Sequence, residues 1–124
     1  MKLENQVVSL ELAKKLKELG FEQESLFYHL QNTFGDKKYL GIVDKTGNNP
    51  KGGNTYYSAY TVTELLELCP PSTSILKRTD VIGKNPPRYY AENWDTAYSE
   101  IYNENPADAL AKLLIYLKEN NLIN

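Results

Sequence analysis

The sequence predicts an α+β fold, a mostly antiparallel sheet of about four strands that is covered by helices. Three observations lead to this prediction. Each end of the chain carries an amphipathic helical pattern, a shorter helix with clear end signals lies in the middle, and the runs between them alternate between apolar and polar residues. The 124 residues match the usual length of one domain, so we expect residues 1–124 to form a single domain.

The first predicted helix lies in the segment SLELAKKLKELGF, near the start of the chain. Its leucines share one arc at helical spacing, and its lysines and glutamates share the other. Ser9 is a favourable N-cap and Gly20 a favourable stop, so we expect a helix over residues 10–19. Glu11 and Lys15 are spaced to pair, and so are Lys14 and Glu18, so the polar arc carries little net charge. We therefore interpret this helix as a cover over the core, not as a surface for nucleic acid or a membrane.

Alternating runs in the first half of the chain predict strands. The run ESLFYHLQ alternates with His29 and Gln31 on its wetter face, and we expect it to pair as a hairpin with a strand over residues 38–44. Glycine, asparagine and proline crowd residues 45–54, which predicts a loop. The run TYYSAY that follows this loop is typical of a short strand.

The second half begins with a short helix and continues with further strands. In TVTELLELCPP, Thr61 and Glu64 have the spacing of a capping box, and the two prolines end the helix. The runs RYYAEN and TAYSEIYN predict two strands that are joined near residues 93–95. Residues 72–87 leave two readings open, because their apolar side chains suit either a strand or a loop anchored to the core.

The closing segment NENPADALAKLLIYLKENN predicts the best-defined helix of the chain. Asn105 is a favourable N-cap, Pro106 suits the first helical position, and Asp108 suits the positive end of the helix dipole. A stripe of one alanine and four leucines follows at helical spacing. We therefore expect this helix to be a main part of the core.

Composition narrows the classes of function. The formal net charge is −2, a poor match to proteins that grip a phosphate backbone with a basic face, so nucleic acid is disfavoured as a partner. The single cysteine cannot form an intramolecular disulfide, which fits a reducing compartment. No long apolar run suggests a signal peptide or a membrane span. We therefore expect a soluble, cytoplasmic protein without membrane contact.

Few residues in this chain are suited to chemistry. His29 is the only histidine and Cys69 the only cysteine, too few for a zinc site. A lone histidine in a strand is more often packed or exposed than catalytic. Cys69 lies on the apolar arc at a helix C-terminus, where the pKa of a thiol rises. We predict no catalytic residues, no metal and no cofactor, and we expect the protein not to be an enzyme; a small enzyme or ligand binder around His29 is the weakest alternative.

Tyrosine is the unusual feature of the composition, with 10 residues against three Phe and one Trp. Adjacent tyrosines in a strand point to opposite faces, so some of them must point away from any one core. The rigid ring with a polar hydroxyl suits contact surfaces and also the rim of a thin core, and the sequence leaves both readings open. The candidate interaction surface consists of Tyr57, Tyr89, Tyr90, Tyr98 and Tyr102.

A second candidate surface is a basic loop that contains Lys77, Arg78, Lys84 and Arg88. Such a loop suits a small regulator that associates with nucleic acid. Sites for single-stranded nucleic acid combine a basic groove with aromatic rings, and acidic residues follow this loop closely in the sequence. Because these acidic residues oppose a phosphate backbone, nucleic-acid binding is the alternative and protein binding the leading expectation.

Three stretches resemble a family of small, uncharacterised proteins encoded by phages and prophages of gut bacteria. They are VSLELAKKLKELGFEQESLFYHL, YSAYTVTELLELCP and NPADALAKLLIYLKENNLI. Because the matching motifs are the helical faces described above, the resemblance implies kinship and carries over no catalytic residue. The leading expectation is a non-enzymatic phage or prophage accessory protein. We expect it to bind another protein, or itself, through a sheet edge or a tyrosine-bearing sheet face.

Overall fold

The computed structural model of this chain describes residues 2–32, 41–44, 54–78, 88–95 and 100–123. These residues form a short 3-10 helix, three α-helices and six β-strands, which confirms the predicted α+β class. In chain order the elements are the 3-10 helix Leu3–Asn5, α1 Leu10–Glu18, β1 Tyr28–Asn32, β2 Gly41–Val43, β3 Asn54–Ser58, α2 Val62–Leu68, β4 Thr73–Arg78, β5 Arg88–Asn93, β6 Glu100–Asn103 and α3 Pro106–Glu119.

The described strands form two antiparallel sheets of three strands each, so the prediction of a single sheet of about four strands is wrong in this respect. The strand order is β2-β1-β3 in the first sheet and β4-β5-β6 in the second. Helix α2 separates β3 from β4 in the chain, and Pro70 and Pro71 follow it without an N–H group to donate to a ladder. Thr73 then opens a separate ladder with β5.

Several local predictions are confirmed. The strands β1 and β2 pair as an antiparallel hairpin, and β5 pairs with β6. The capping box of α2 forms, since the Thr61 hydroxyl accepts from the Glu64 N–H at 3.3 Å and Glu64 Oε1 accepts from the Thr61 N–H at 2.9 Å. Of residues 72–87, for which the sequence left a strand and a loop open, residues 73–78 form strand β4. Most of the predicted loop over residues 45–54 lies outside the described residues.

Helix α3 is the centre of the core, because it contacts β5 and β6 as well as α1 and α2. Its N-cap forms as predicted: Asn105 Oδ1 accepts from the N–H groups of Ala107 at 2.8 Å and Asp108 at 3.4 Å. Ile115, which lies off the predicted stripe, is buried as well, since the helix is packed on more than one side. Burial of each leucine contributes about 1.5–3 kcal/mol. The fully buried stripe consists of Ala107, Leu110, Leu113, Leu114 and Leu117.

Helix α1 covers the core, which confirms the interpretation of its leucines. Ala13 and Leu16 are fully buried, and Leu12 and Leu19 pack against the core from its rim. The helix ends one residue earlier than predicted, at Glu18, and Gly20 follows with a φ of 91°. An l-residue with a side chain rarely adopts this backbone conformation, so glycine suits the position.

The polar contacts of α1 differ from the prediction. The Ser9 side chain makes no capping hydrogen bond, and the Ser9 N–H instead donates to Oδ1 of Asp108 at 2.7 Å. Lys15 Nζ lies 3.2 Å from Oε2 of Glu119, an ion pair that connects α1 with α3 where pairing with Glu11 was expected. Both contacts join the first helical segment to the last one.

Candidate interaction surface

The second sheet has one face on the helices and one face toward solvent. On the face toward the helices, Ile75, Tyr89 and Ile101 pack against the core. Ala91 of β5, which lies between Ile75 and Ile101 in the register, is fully buried. Because side chains alternate along a strand, the residues between them lie on the opposite face. We call this opposite face the tyrosine–arginine face, and it is formed by Leu76, Arg78, Arg88, Tyr90, Glu92 and Tyr102.

A row of apolar side chains crosses the middle of the tyrosine–arginine face. The register places Leu76 of β4 opposite Tyr90 of β5, and Tyr90 opposite Tyr102 of β6. The two tyrosine rings are tilted by 37° with their centroids 5.7 Å apart. Leu76 is 47% exposed and Tyr102 is 54% exposed. Such a row is an exposed apolar surface on a sheet whose other side is held by the core.

Two arginines lie on one side of this row, at one end of the face, and contact its tyrosine rings. The guanidinium carbon of Arg78 is 4.9 Å from the ring centroid of Tyr90, and that of Arg88 is 5.2 Å from the ring centroid of Tyr102. The register also places Arg78 directly opposite Arg88. Like charges in opposite positions destabilise a sheet, and contact with the electron-rich ring faces offsets part of this cost. The arginines are exposed and keep their hydrogen-bond donors available to a partner.

The other end of the tyrosine–arginine face carries an acidic residue. Two positions along β5 from Tyr90 lies Glu92, and the register places it opposite Glu100 of β6 and Ser74 of β4. Trp94 directly follows β5 and is 64% exposed. The face therefore has cations at one end, an apolar row in the middle and the carboxylate of Glu92 at the other end.

The structure places the tyrosines of the predicted surface in different environments. Tyr90 and Tyr102 lie together on the tyrosine–arginine face. Tyr89 is on the opposite side of β5 and packs against the core. Tyr57 belongs to the first sheet, where Lys17 Nζ is 4.8 Å from its ring centroid and its ring packs against the core. Tyr98 lies outside the described residues.

The residues of the predicted basic loop are also divided. Arg78 ends β4 and Arg88 begins β5, and both contribute to the tyrosine–arginine face. Lys77 is exposed, but its register partner is Tyr89, so it belongs to the other face of the sheet. Lys84 lies outside the described residues.

An open groove of about 570 Å³ runs beside the edge strand β6. It contains two cationic side chains, Arg88 and Lys112, and one carboxylate, Glu104. The groove continues the tyrosine–arginine face past the edge of the sheet toward α3. Its lining residues are Arg88, Ile101, Tyr102, Asn103, Glu104 and Lys112.

His29 lies in the interior, so its predicted place on the wetter face of its strand is wrong. His29 is only 3% exposed, and Gln31 on the same face is buried too. Because a carbonyl oxygen can only accept, the Nε2–H of His29 donates to the Val8 oxygen at 2.6 Å. Burial lowers the pKa of His29, and burial also raises the pKa of the nearby Asp108 carboxyl. The histidine thus connects β1 to the N-terminal segment.

Cys69 is buried at the end of α2, as the sequence predicts. Burial raises the pKa of its thiol to about 12, with a hydrogen bond to Thr73 acting in the opposite direction. Desolvation is thus the main cause, where the sequence suggested the helix dipole. A thiol with this pKa is not a nucleophile at neutral pH.

Sequence reasoning missed the contribution of Leu76 and Glu92 to this surface. Alternation along RYYAEN would have grouped Arg88, Tyr90 and Glu92, because they are two residues apart. Placing Leu76 and Arg78 on the same face as Arg88 and Tyr90 requires the register between β4 and β5. The nine residues that connect these strands leave that register open.

Comparisons with protein-family models, with curated proteins and with solved structures find no match to this chain. The resemblance to phage and prophage proteins therefore stays a prediction. Every helix within the described ranges is too short or too polar to span a lipid bilayer. Among these same residues, no three His, Cys, Asp or Glu side chains gather in a way that could hold a metal ion.

Proposed function

We propose that this protein is a non-enzymatic binding protein that contacts another protein through the tyrosine–arginine face. The observation that carries the proposal is the row of exposed Leu76, half-buried Tyr90 and exposed Tyr102, with a guanidinium over each tyrosine ring. Tyrosine and arginine are enriched among the residues that dominate the energy of protein interfaces. Their rings and planar groups offer a large contact area with little conformational freedom to lose.

Two further features support a binding role over a catalytic one. The backbone under the face is held by core contacts of Ile75, Tyr89 and Ile101 with the helices, which preorganises the surface for a partner. The two residues that sequence analysis considered for chemistry, His29 and Cys69, are both buried. Neither the imidazole of His29 nor the thiol of Cys69 is accessible to a substrate.

The assignment to a phage or prophage is part of the same proposal, and its support is the resemblance of the helical stretches described above. It implies that the partner is a protein of the phage or of its host.

Binding of single-stranded nucleic acid is the second candidate, because Arg78 and Arg88 share one face with two tyrosines. Such platforms combine cations that follow the backbone with rings that stack on bases. Here, however, each guanidinium lies over a tyrosine ring, so a base can stack on that ring only by displacing the arginine. Glu92 at the other end of the face and the net charge of −2 also oppose a phosphate backbone.

Site-specific photo-crosslinking tests the proposed function. We would incorporate p-benzoylphenylalanine at position 76 or 102, with position 67 on the exposed side of α2 as the matched control, and irradiate cells of the organism that carries the gene. Protein adducts are expected from 76 and 102, not from 67, and Tyr90→Ala should reduce the adducts from 76 while leaving the circular dichroism spectrum unchanged. Equal adducts from all three positions would refute the proposal. Adducts with nucleic acid from 76 and 102 would support the second candidate instead.

A further inference from the structure

We propose that the partner of the tyrosine–arginine face is the same face of a second copy of this chain. The two copies would be related by a two-fold axis that runs along the row of Leu76, Tyr90 and Tyr102, parallel to the sheet. This inference rests on the proposed function, because it names the occupant of the face to which that function assigns binding.

The charge arrangement of the face is the main argument. Arg78 and Arg88 lie on one side of the apolar row, and Glu92 lies on the other side. A face with cations at one end and a carboxylate at the other is complementary to a copy of itself turned end for end. In an isologous interface one surface patch contacts the identical patch, so this complementarity arises twice from one sequence.

The symmetry axis follows from the positions of these charges. A half-turn rotation about the apolar row keeps each strand at the same position along the row and reverses the direction of the strand. Arg88 and Glu92 both lie on β5, two residues before and two residues after Tyr90. Arg88 of one copy therefore lies over Glu92 of the second copy, and the reverse pair forms at the other end. An axis parallel to the strands would instead place Arg88 over arginine.

The isolated face contains an unfavourable contact that this pairing relieves. Arg78 and Arg88 are directly opposite each other in the register, where like charges repel. A carboxylate from a second copy between or above them would replace part of this repulsion with attraction. At the centre, the apolar row would meet its own copy across the roughly 10 Å that separates packed sheets.

The size of the face predicts a weak dimer. A sheet of three strands, the longest of six residues, presents an area of about 20 by 14 Å, or ~280 Å² in projection. This area is well below the roughly 800 Å² that each partner contributes to a standard interface. We therefore expect a reversible dimer with a dissociation constant of roughly 10⁻⁴ M.

Sedimentation velocity with charge-reversed variants tests this inference. Wild-type protein would be measured from about 20 μM to about 1 mM at low salt, a range that spans the expected dissociation constant. Arg88→Glu and Glu92→Arg each place like charges at both ends of the interface and should weaken dimerisation by about 10–30-fold. Mixed in equal amounts, the two variants form opposite charges at both ends, so the mixture should dimerise about as well as wild type. Lys77→Glu is the matched control, because it reverses an exposed charge on the other face and should leave dimerisation unchanged.

Each outcome decides the inference. Dimerisation of the wild type that both variants weaken and the mixture restores would support it, and circular dichroism would verify that each variant is folded. A wild type that stays monomeric at about 1 mM, or a mixture that associates no better than its components, would overturn it. If the wild type is monomeric but positions 76 and 102 still crosslink to another protein, self-pairing fails and the proposed function stands. If those crosslinks are also absent, both fail.

Discussion

Replacement of Asn105 by alanine is expected to lower the free energy of unfolding by about 2–3 kcal/mol. Asn105 connects two parts of the chain through the two ends of its amide. Its Oδ1 accepts from the Ala107 and Asp108 N–H groups at the start of α3, at 2.8 and 3.4 Å. Its Nδ2 donates to the Val7 oxygen at 3.0 Å, far away in the sequence.

The magnitude follows from these two functions. Loss of an N-cap side chain costs about 1 kcal/mol. Loss of the donor leaves the carbonyl of Val7, a residue with a buried side chain, without this partner, at a cost of about 1–2 kcal/mol. Asn105→Asp separates the contributions, because its carboxylate still accepts at the helix start and its charge suits the helix dipole, whereas it has no N–H to donate. We expect Asn105→Asp to cost only about 1 kcal/mol.

Urea denaturation followed by circular dichroism measures these differences. The ranking of free energies should be wild type, then Asn105→Asp, then Asn105→Ala, with unchanged denaturant slopes. If Asn105→Ala lies within about 0.5 kcal/mol of wild type, the assignment of Asn105 as a joint between α3 and the N-terminal segment is wrong. If both variants lose the same free energy, the cap contributes nothing and the donor to Val7 accounts for the effect.

Three further outcomes are expected. Leu113→Ala, in the fully buried stripe of α3, should lower the free energy of unfolding by about 2–5 kcal/mol in the same assay, whereas Leu122→Ala at a 37% exposed position should change it by less than about 1 kcal/mol; similar losses would contradict the central position of α3. The Cys69 thiol, whose pKa burial raises to about 12, should react with a disulfide reagent slowly in the native protein and quickly in urea, and rapid native labelling would contradict its burial. Burial lowers the pKa of His29 from its ordinary 6.5, so the unfolded chain binds a proton more readily than the folded one and the free energy of unfolding should fall as the pH drops below about 6.5. His29→Gln should remove this pH dependence, and a His29→Gln curve parallel to that of wild type would contradict it.

Much of the local structure was predictable because its determinants lie within one or two turns of the chain. The capping box of Thr61 and Glu64 and the Asn105-Pro106 start of α3 are contacts between residues close in sequence. The inward arc of α1 likewise depends on spacing alone. These features need no knowledge of which element packs on which.

The division into two sheets and the place of His29 were not predictable in this way. Sheet membership depends on which strand pairs with which, and β3 and β4 carry no signal that excludes pairing with each other. His29 looks polar in its strand, and its burial depends on the Val8 oxygen, which comes from a segment 21 residues earlier. A buried polar group is acceptable only where such a partner exists, and only the folded chain shows that it does.

The sequence by itself determined the α+β class, the helices with the N-terminal caps of α2 and α3, and the abundance of tyrosine in strands. The tertiary structure decided which tyrosines meet, since the register brings Tyr90 and Tyr102 together with Arg78 and Arg88 and places Tyr89 in the core. The physical reason is that helix patterns and caps arise from neighbours along the chain, whereas a surface consists of residues from separate strands. Their alignment depends on long-range pairing that a single sequence leaves open.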